Sequence, residues 1–136
     1  MHKKQLMAGA ALLAAFTAAS PTFAADIVVV GHPSAAPMSK DQVSDVFLGK
    51  NTALNPVDQP EASAIRTEFY KKATGRDLSQ IKATWARLVF SGKAQAPKEG
   101  ADAAAIKKAV AADPKAVGYL EKSSVDASVK VLATLE

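Results

Sequence analysis

The sequence predicts an α/β fold in which a central, mainly parallel sheet is flanked by helices. Short β-branched runs that read as strands alternate with apolar stripes at helical spacing. Capping residues and glycines punctuate most of the boundaries between them. A chain of 136 residues with 49% hydrophobic and 22% charged residues has the composition of one ordinary globular domain.

Asp26-Ile27-Val28-Val29-Val30-Gly31 is a continuous β-branched run closed by a glycine, the pattern of a strand buried on both faces. After a loop over His32 to Met38, Ser39 caps a helix with Gln42 three residues on. Val43, Val46 and Phe47 follow at helical spacing, and Gly49 stops the helix. Ala53 to Gln59 reads as a brief extended piece, in which Pro56, lacking an amide hydrogen, argues against a central position in the sheet.

Ser63 then precedes the stripe Ile65, Phe69 and Ala73, which ends at Gly75. Asp77, with Gln80 behind it, caps a further helix whose Ile81, Trp85 and Leu88 line one face until Ser91-Gly92 breaks it. A loop rich in Pro, Gly and Lys over Lys93 to Gly100 leads to an alanine-rich helix from about Ala101 to Ala112, terminated by Asp113-Pro114. Ala116 to Leu120 and Ser128 to Leu132 read as strands. The aromatic residues Phe47, Phe69, Trp85 and Phe90 are assigned to the core, three of the four lying on apolar helical stripes. A sugar-stacking platform at Trp85 is the less economical account.

Residues 1 to 24 read as a secretory signal peptide. His2, Lys3 and Lys4 form a positive start, Leu6 to Ala19 an apolar stretch, and Ser20-Pro21-Thr22-Phe23-Ala24 a small-residue approach to cleavage before Ala25. Export to a periplasm or the exterior follows, as a soluble domain over residues 25 to 136. No cysteine is present, which excludes disulfides, thiolate metal sites, a cysteine nucleophile and a lipid-bearing N-terminal cysteine. The chain has no second apolar run of 18 residues and no internal repeat of solenoid length. Its net charge of +4 includes Lys3 and Lys4, so residues 25 to 136 carry about +2, and a nucleic-acid binder is not indicated.

The residues that could carry chemistry do not assemble an enzyme. His32, the one histidine after residue 24, has the neighbours Gly31, Pro33 and Ser34 and matches no triad or nucleophile elbow. Asp58 and Glu61 flank Pro60, which could suggest a carboxylate dyad, though a solvated acidic turn is the blander account. Ser91-Gly92-Lys93 is similar to the end of a phosphate loop but follows a helix and lacks the upstream glycine. No catalytic residue, metal site or cofactor is therefore expected.

The start of the helix at Ser63 is more informative, because free N–H groups and the helix dipole make such a start a seat for anions. Ser63 would supply a hydroxyl, Ala62 to Ile65, Ala64 among them, the N–H groups, and Arg66 a fork to an oxyanion. A serine that merely caps the helix explains Ser63 equally well, and Glu61 beside it would repel an anion.

Several segments in order resemble the phosphate-binding periplasmic proteins of ABC uptake systems, the class II solute-binding proteins. Val46-Phe47-Leu48-Gly49-Lys50 is similar to that family's (I/Y)(F/Y)LGK stretch, and Ala116-Val117-Gly118-Tyr119-Leu120-Glu121 to its GAIGYVE strand. Val57 to Ile65 occupies the place of its R-x-D-G-S-G-T anion loop, with Phe69 matching a following aromatic. Lys98-Glu99-Gly100-Ala101-Asp102 falls near its glycine-rich segment before the penultimate helix. The agreement runs from about Ser39 to Val125.

The departures are specific. Gln59 stands where the family has arginine, Ala64 where it has glycine and Ile65 where it has threonine, so Ser63 alone of that anion loop is retained. The family binds its ligand between two lobes, and 112 residues supply one. The resemblance thus implies a single periplasmic-binding-protein-like lobe, non-enzymatic, binding phosphate or another small oxyanion for an uptake system. The alternative is a single-lobe interaction or sensory module that has lost ligand binding. Expected partners are the oxyanion and a membrane transporter or sensor protein, and one lobe is compatible with a homodimer.

Overall fold

The computed structural model describes residues 26–135; the expected signal peptide lies outside the described residues. The elements in chain order are β1 (Ile27–Gly31), α1 (Lys40–Phe47), β2 (Asn55–Asp58), α2 (Ala64–Thr74), α3 (Leu78–Phe90), β3 (Lys98–Glu99), α4 (Ala103–Ala112), β4 (Ala116–Glu121), a 3-10 turn (Lys122–Ser124) and β5 (Lys130–Leu135). The strands form one sheet in the order β3-β2-β4-β1-β5.

The sheet is mainly parallel, as expected. β2 pairs in parallel with both β3 and β4, while β1 pairs antiparallel with β4 and β5. Four strands therefore run one way and β1 alone runs against them. Every residue of β1 is buried. Successive side chains of a strand point to opposite faces, and here they feed two cores. Ile27 and Val29, with Val117 and Tyr119 of β4, pack beneath α1, α2 and α3, whereas Val28, Val30 and Leu120 pack with Ile106 and Val110 of α4. The result is a three-layer sandwich.

Pro56 does lie in an interior strand. Its tolerance follows from alternation: Asn55 N–H donates to Lys115 O on the β4 side, so the Pro56 nitrogen faces the β3 side, where pairing begins only at Val57. No ladder bond is lost there.

The caps of α1 and α3 form as read. Ser39 and Asp77 each accept from the amide three residues on, and Gln42 and Gln80 return the bond to the cap amides. The alanine-rich helix starts at Ala103 rather than Ala101, because Asp102 takes the N-cap position and accepts from Ala105 N–H. The last strand begins at Lys130 rather than Ser128, since Asp126 turns the chain by accepting the Ser128 amide at 2.9 Å. α4 packs directly on β4 because Gly118 has no side chain; a Cβ there would sit 2.9 Å from Ile106 Cγ2.

One core assignment is overturned. Phe47 and Phe69 are fully buried and Trp85 nearly so, but Phe90 is 95% exposed. It lies off the Ile81, Trp85, Leu88 stripe, on a helix end that none of the described elements covers.

Candidate functional site

β2, β3 and β4 run parallel, so their carboxyl ends meet along one edge of the sheet. In register this aligns Asp58 with Glu99 of β3, and the short loop after Asp58 feeds directly into α2. Open α/β sheets bind ligands outside the carboxyl ends of their strands, and both Asp58 and the α2 start lie at that edge.

Asp58 is the chemical centre of this edge. It is 2% exposed, which corrects the expectation of a solvated acidic turn: Asp58 is a strand residue whose side chain turns inward toward α2. Tyr70 Oη donates to its Oδ2 at 2.5 Å, Tyr119 donates to its Oδ1, and the Gln59 amide donates to Oδ1 at 2.9 Å. Burial pushes the Asp58 carboxyl above the usual carboxylate range, opposed by the Tyr119 and Tyr70 hydrogen bonds and by the charge of Arg66. Both phenols are driven upward, first by burial and then by the Asp58 charge, so they stay protonated as donors. This network was not read from the sequence. The available signal was a tyrosine in the middle of a buried strand, since a buried phenol needs a polar partner for its tip.

Ser63 is the N-cap of α2, with extended φ of −75° and ψ of 129°, but its side chain bonds no amide of the first turn. Ser39, Asp77 and Asp102 all make that bond at their helices. The serine hydroxyl and the first amides of α2, those of Ala64 and Ile65, therefore sit together at the strand edge without a cap. Ala64 is exposed, whereas the Ile65 side chain turns into the core beneath α2.

Arg66 turns back toward the strand end. Its side chain is 11% exposed, and Nη1 donates to the Gln59 carbonyl oxygen at 2.9 Å. The guanidinium lies 3.7 Å from Asp58 Oδ2 and 3.7 Å from Glu99 Oε2, and its Nε is buried without a hydrogen-bond partner. Gln59 is itself buried, its carboxamide Nε2 donating to the Tyr119 carbonyl oxygen at 2.9 Å. Glu61 is not beside Asp58 in space as a dyad partner. It is exposed and paired with Lys82 Nζ at 2.6 Å, which holds its carboxyl below the ordinary range.

The remaining sequence candidates fall elsewhere. His32 Nδ1 pairs with the Ser34 hydroxyl at 2.8 Å in the loop after β1. Ser91-Gly92-Lys93 is a helix stop, with Gly92 at φ of +72°. Trp85 is fixed in the core by its indole N–H, which donates to the Phe47 carbonyl oxygen at 2.9 Å. Among the described residues, no group of three His, Cys, Asp or Glu side chains could hold a metal ion.

No protein-family model matches the chain, and no curated protein sequence does. Solved structures with a similar fold include two phosphate-transport proteins. One is an ABC-type phosphate transport receptor from Vibrio cholerae, 18% identical, with a TM-score of 0.63 over 79% of this chain and 45% of the receptor. The other is a phosphate ABC transporter substrate-binding protein from Clostridium perfringens, solved with bound phosphate, 20% identical, with a TM-score of 0.63 over 79% of this chain and 44% of that protein. The chain therefore has a phosphate-binding-protein-like fold and spans less than half the length of the structures it matches.

Proposed function

We propose that this domain is an exported binding lobe that holds a small oxyanion, with phosphate the leading candidate, against the start of α2 for a membrane transporter. The observation that carries the reading is the uncapped first turn of α2 at the carboxyl edge of the parallel strands, in a fold shared with phosphate-binding proteins. Ser63 contributes its hydroxyl, Ala64 and Ile65 their amides, and Arg66 a guanidinium held beside the loop by the Gln59 carbonyl. Lys82 pairs with Glu61, the acid two residues before Ser63. The role is binding and not catalysis, in keeping with the neighbours. A single lobe covers half of a small anion, so a second copy or another protein would close the other side.

The second reading is an interaction module that has lost its ligand. Val89 and Phe90, 48% and 95% exposed at the end of α3, favour it, because large apolar side chains standing in water are the raw material of docking surfaces.

Thermal shift of residues 25–136 with phosphate, sulfate, molybdate and chloride at matched ionic strength separates the two. A ligand at a hundredfold excess over Kd stabilises the folded state by about 2.7 kcal/mol. A shift with one oxyanion alone, abolished by Ser63→Ala, is expected for the binding lobe. No shift with any anion transfers the assignment to the interaction module.

A further inference from the structure

We propose that the cavity between α3 and the β2–β3 edge is a second binding site, shaped for a small zwitterion with an apolar side chain, the chemistry of an aliphatic α-amino acid. The cavity has a volume of about 340 Å³, within the range of small-molecule pockets. Its two walls differ in kind. Asp58, Arg66, Lys82 and Glu99 form a charged wall with two groups of each sign, and Ile81, Trp85, Val89 and Pro97 contribute an apolar one.

The charged wall is incompletely satisfied. Arg66 stands 3.7 Å from each of its carboxylates, beyond hydrogen-bond reach, and its Nε has no acceptor. The orphaned Nε is itself buried against Asp58, so an incoming carboxylate would meet the terminal nitrogens of the guanidinium, which no carboxylate hydrogen-bonds. Glu99, with its side chain 57% exposed, faces Arg66 without hydrogen-bonding it and is free to accept from an ammonium. Asp58 is already occupied by two phenols and an amide.

Charge complementarity selects the ligand. A carboxylate alone would leave Glu99 unanswered, and an amine alone would leave the Arg66 guanidinium unanswered. A zwitterion answers both signs at once, carboxylate to Arg66 and ammonium to Glu99. An aliphatic side chain then covers the half-exposed Val89, surface that inorganic phosphate would leave wet. Apart from Arg66, this site shares no residue with the anion seat at the start of α2.

Trp85 is the only tryptophan of the chain, so its fluorescence reads the cavity directly. The full chain is titrated with L-leucine, 4-methylpentanoate, 3-methylbutylamine, glycine and phosphate. Leucine is expected to give a saturable change, with each of the three truncated analogues at least ~10-fold weaker, a difference of about 1.4 kcal/mol. Glu99→Gln and Val89→Asp, both at solvent-accessible positions, are each expected to weaken leucine by at least ~10-fold. Ser63→Ala is expected to leave leucine binding unchanged, whatever it does to phosphate. No saturable response to leucine up to about 10 mM overturns the proposal. Equal binding of 4-methylpentanoate, or leucine binding indifferent to both cavity variants, overturns it as well. None of these results decides the anion seat, which the phosphate response of Ser63→Ala tests separately.

Discussion

Tyr119 on β4 donates its hydroxyl hydrogen to Oδ1 of Asp58 on β2, a residue 61 positions earlier in the chain. The bond ties two parallel strands at the edge where the candidate site lies. The Tyr119 ring also stacks on Phe69 of α2, with centroids 3.8 Å apart and planes 2° from parallel. Tyr119→Phe keeps that stack and removes only the donor. It is expected to destabilise the domain by about 1–3 kcal/mol, the cost of under-satisfying a buried charged acceptor. Urea denaturation with an unchanged slope and a lowered midpoint is the expected result; a midpoint within error of the parent would show that the bond contributes nothing net.

Asp58 gives the domain an unusual pH response. Its folded carboxyl is raised above the ordinary value of 3.8 by burial, so the folded state holds that proton more tightly than the unfolded chain. An acid with a raised pKa contributes most favourably at low pH, and that contribution falls as pH rises from 3.8 through the folded value. Glu61, Asp77, Asp113 and Asp126 are held low by their own partners and act oppositely, losing stability as pH falls. Total stability therefore mixes both trends, but Asp58→Asn isolates one. The melting temperature of the parent relative to this variant is expected to rise as pH is lowered from 7 toward 4. A gap that stays constant, or moves the other way, would show that Asp58 titrates no higher than an exposed acid.

The helix caps make a contrast that bears on the site. Asp77 accepts the Gln80 amide at 3.0 Å, whereas the Ser63 side chain accepts nothing from its helix. Asp77→Ala is expected to cost about 1 kcal/mol, the usual value of a formed cap, while Ser63→Ala should stay within about 0.5 kcal/mol of the parent. Chemical denaturation of the two variants side by side checks this. A Ser63→Ala loss as large as that at Asp77 would mean the serine is an ordinary cap in solution and would remove its availability to an anion.

What the sequence made legible was local. The β1 run, the capping boxes at Ser39 and Asp77, and the glycine stops are each determined by residues within a few positions of one another, and each formed where expected. Ser63 was legible as a helix start, yet the freedom of its hydroxyl was not, because a cap position and a cap bond leave the same letters. Asp58 looked like a turn acid because Pro60 and Glu61 follow it. Its burial depends on Tyr70 and Tyr119, which only the folded sheet and α2 bring within reach. Phe90 failed for the complementary reason: an apolar letter on a helix states a preference for burial but not whether a neighbour exists to provide it.

Phe90 and Trp85 sit five residues apart on α3 and should respond oppositely to substitution. Phe90 is 95% exposed, so Phe90→Ser removes almost no buried surface and is expected to change stability by less than about 0.5 kcal/mol while raising solubility. Trp85 is buried against Phe47, and its indole N–H satisfies the Phe47 carbonyl at the end of α1. Trp85→Ala therefore opens a cavity and orphans an acceptor, and a loss of about 3–5 kcal/mol is expected. Thermal unfolding of both variants, with light scattering to follow association, provides the measurement. A large stability loss for Phe90→Ser would mean that the ring is covered in solution, either by another part of this chain or by a second copy. A dependence of that loss on protein concentration would distinguish the second copy, since only an intermolecular contact responds to mass action.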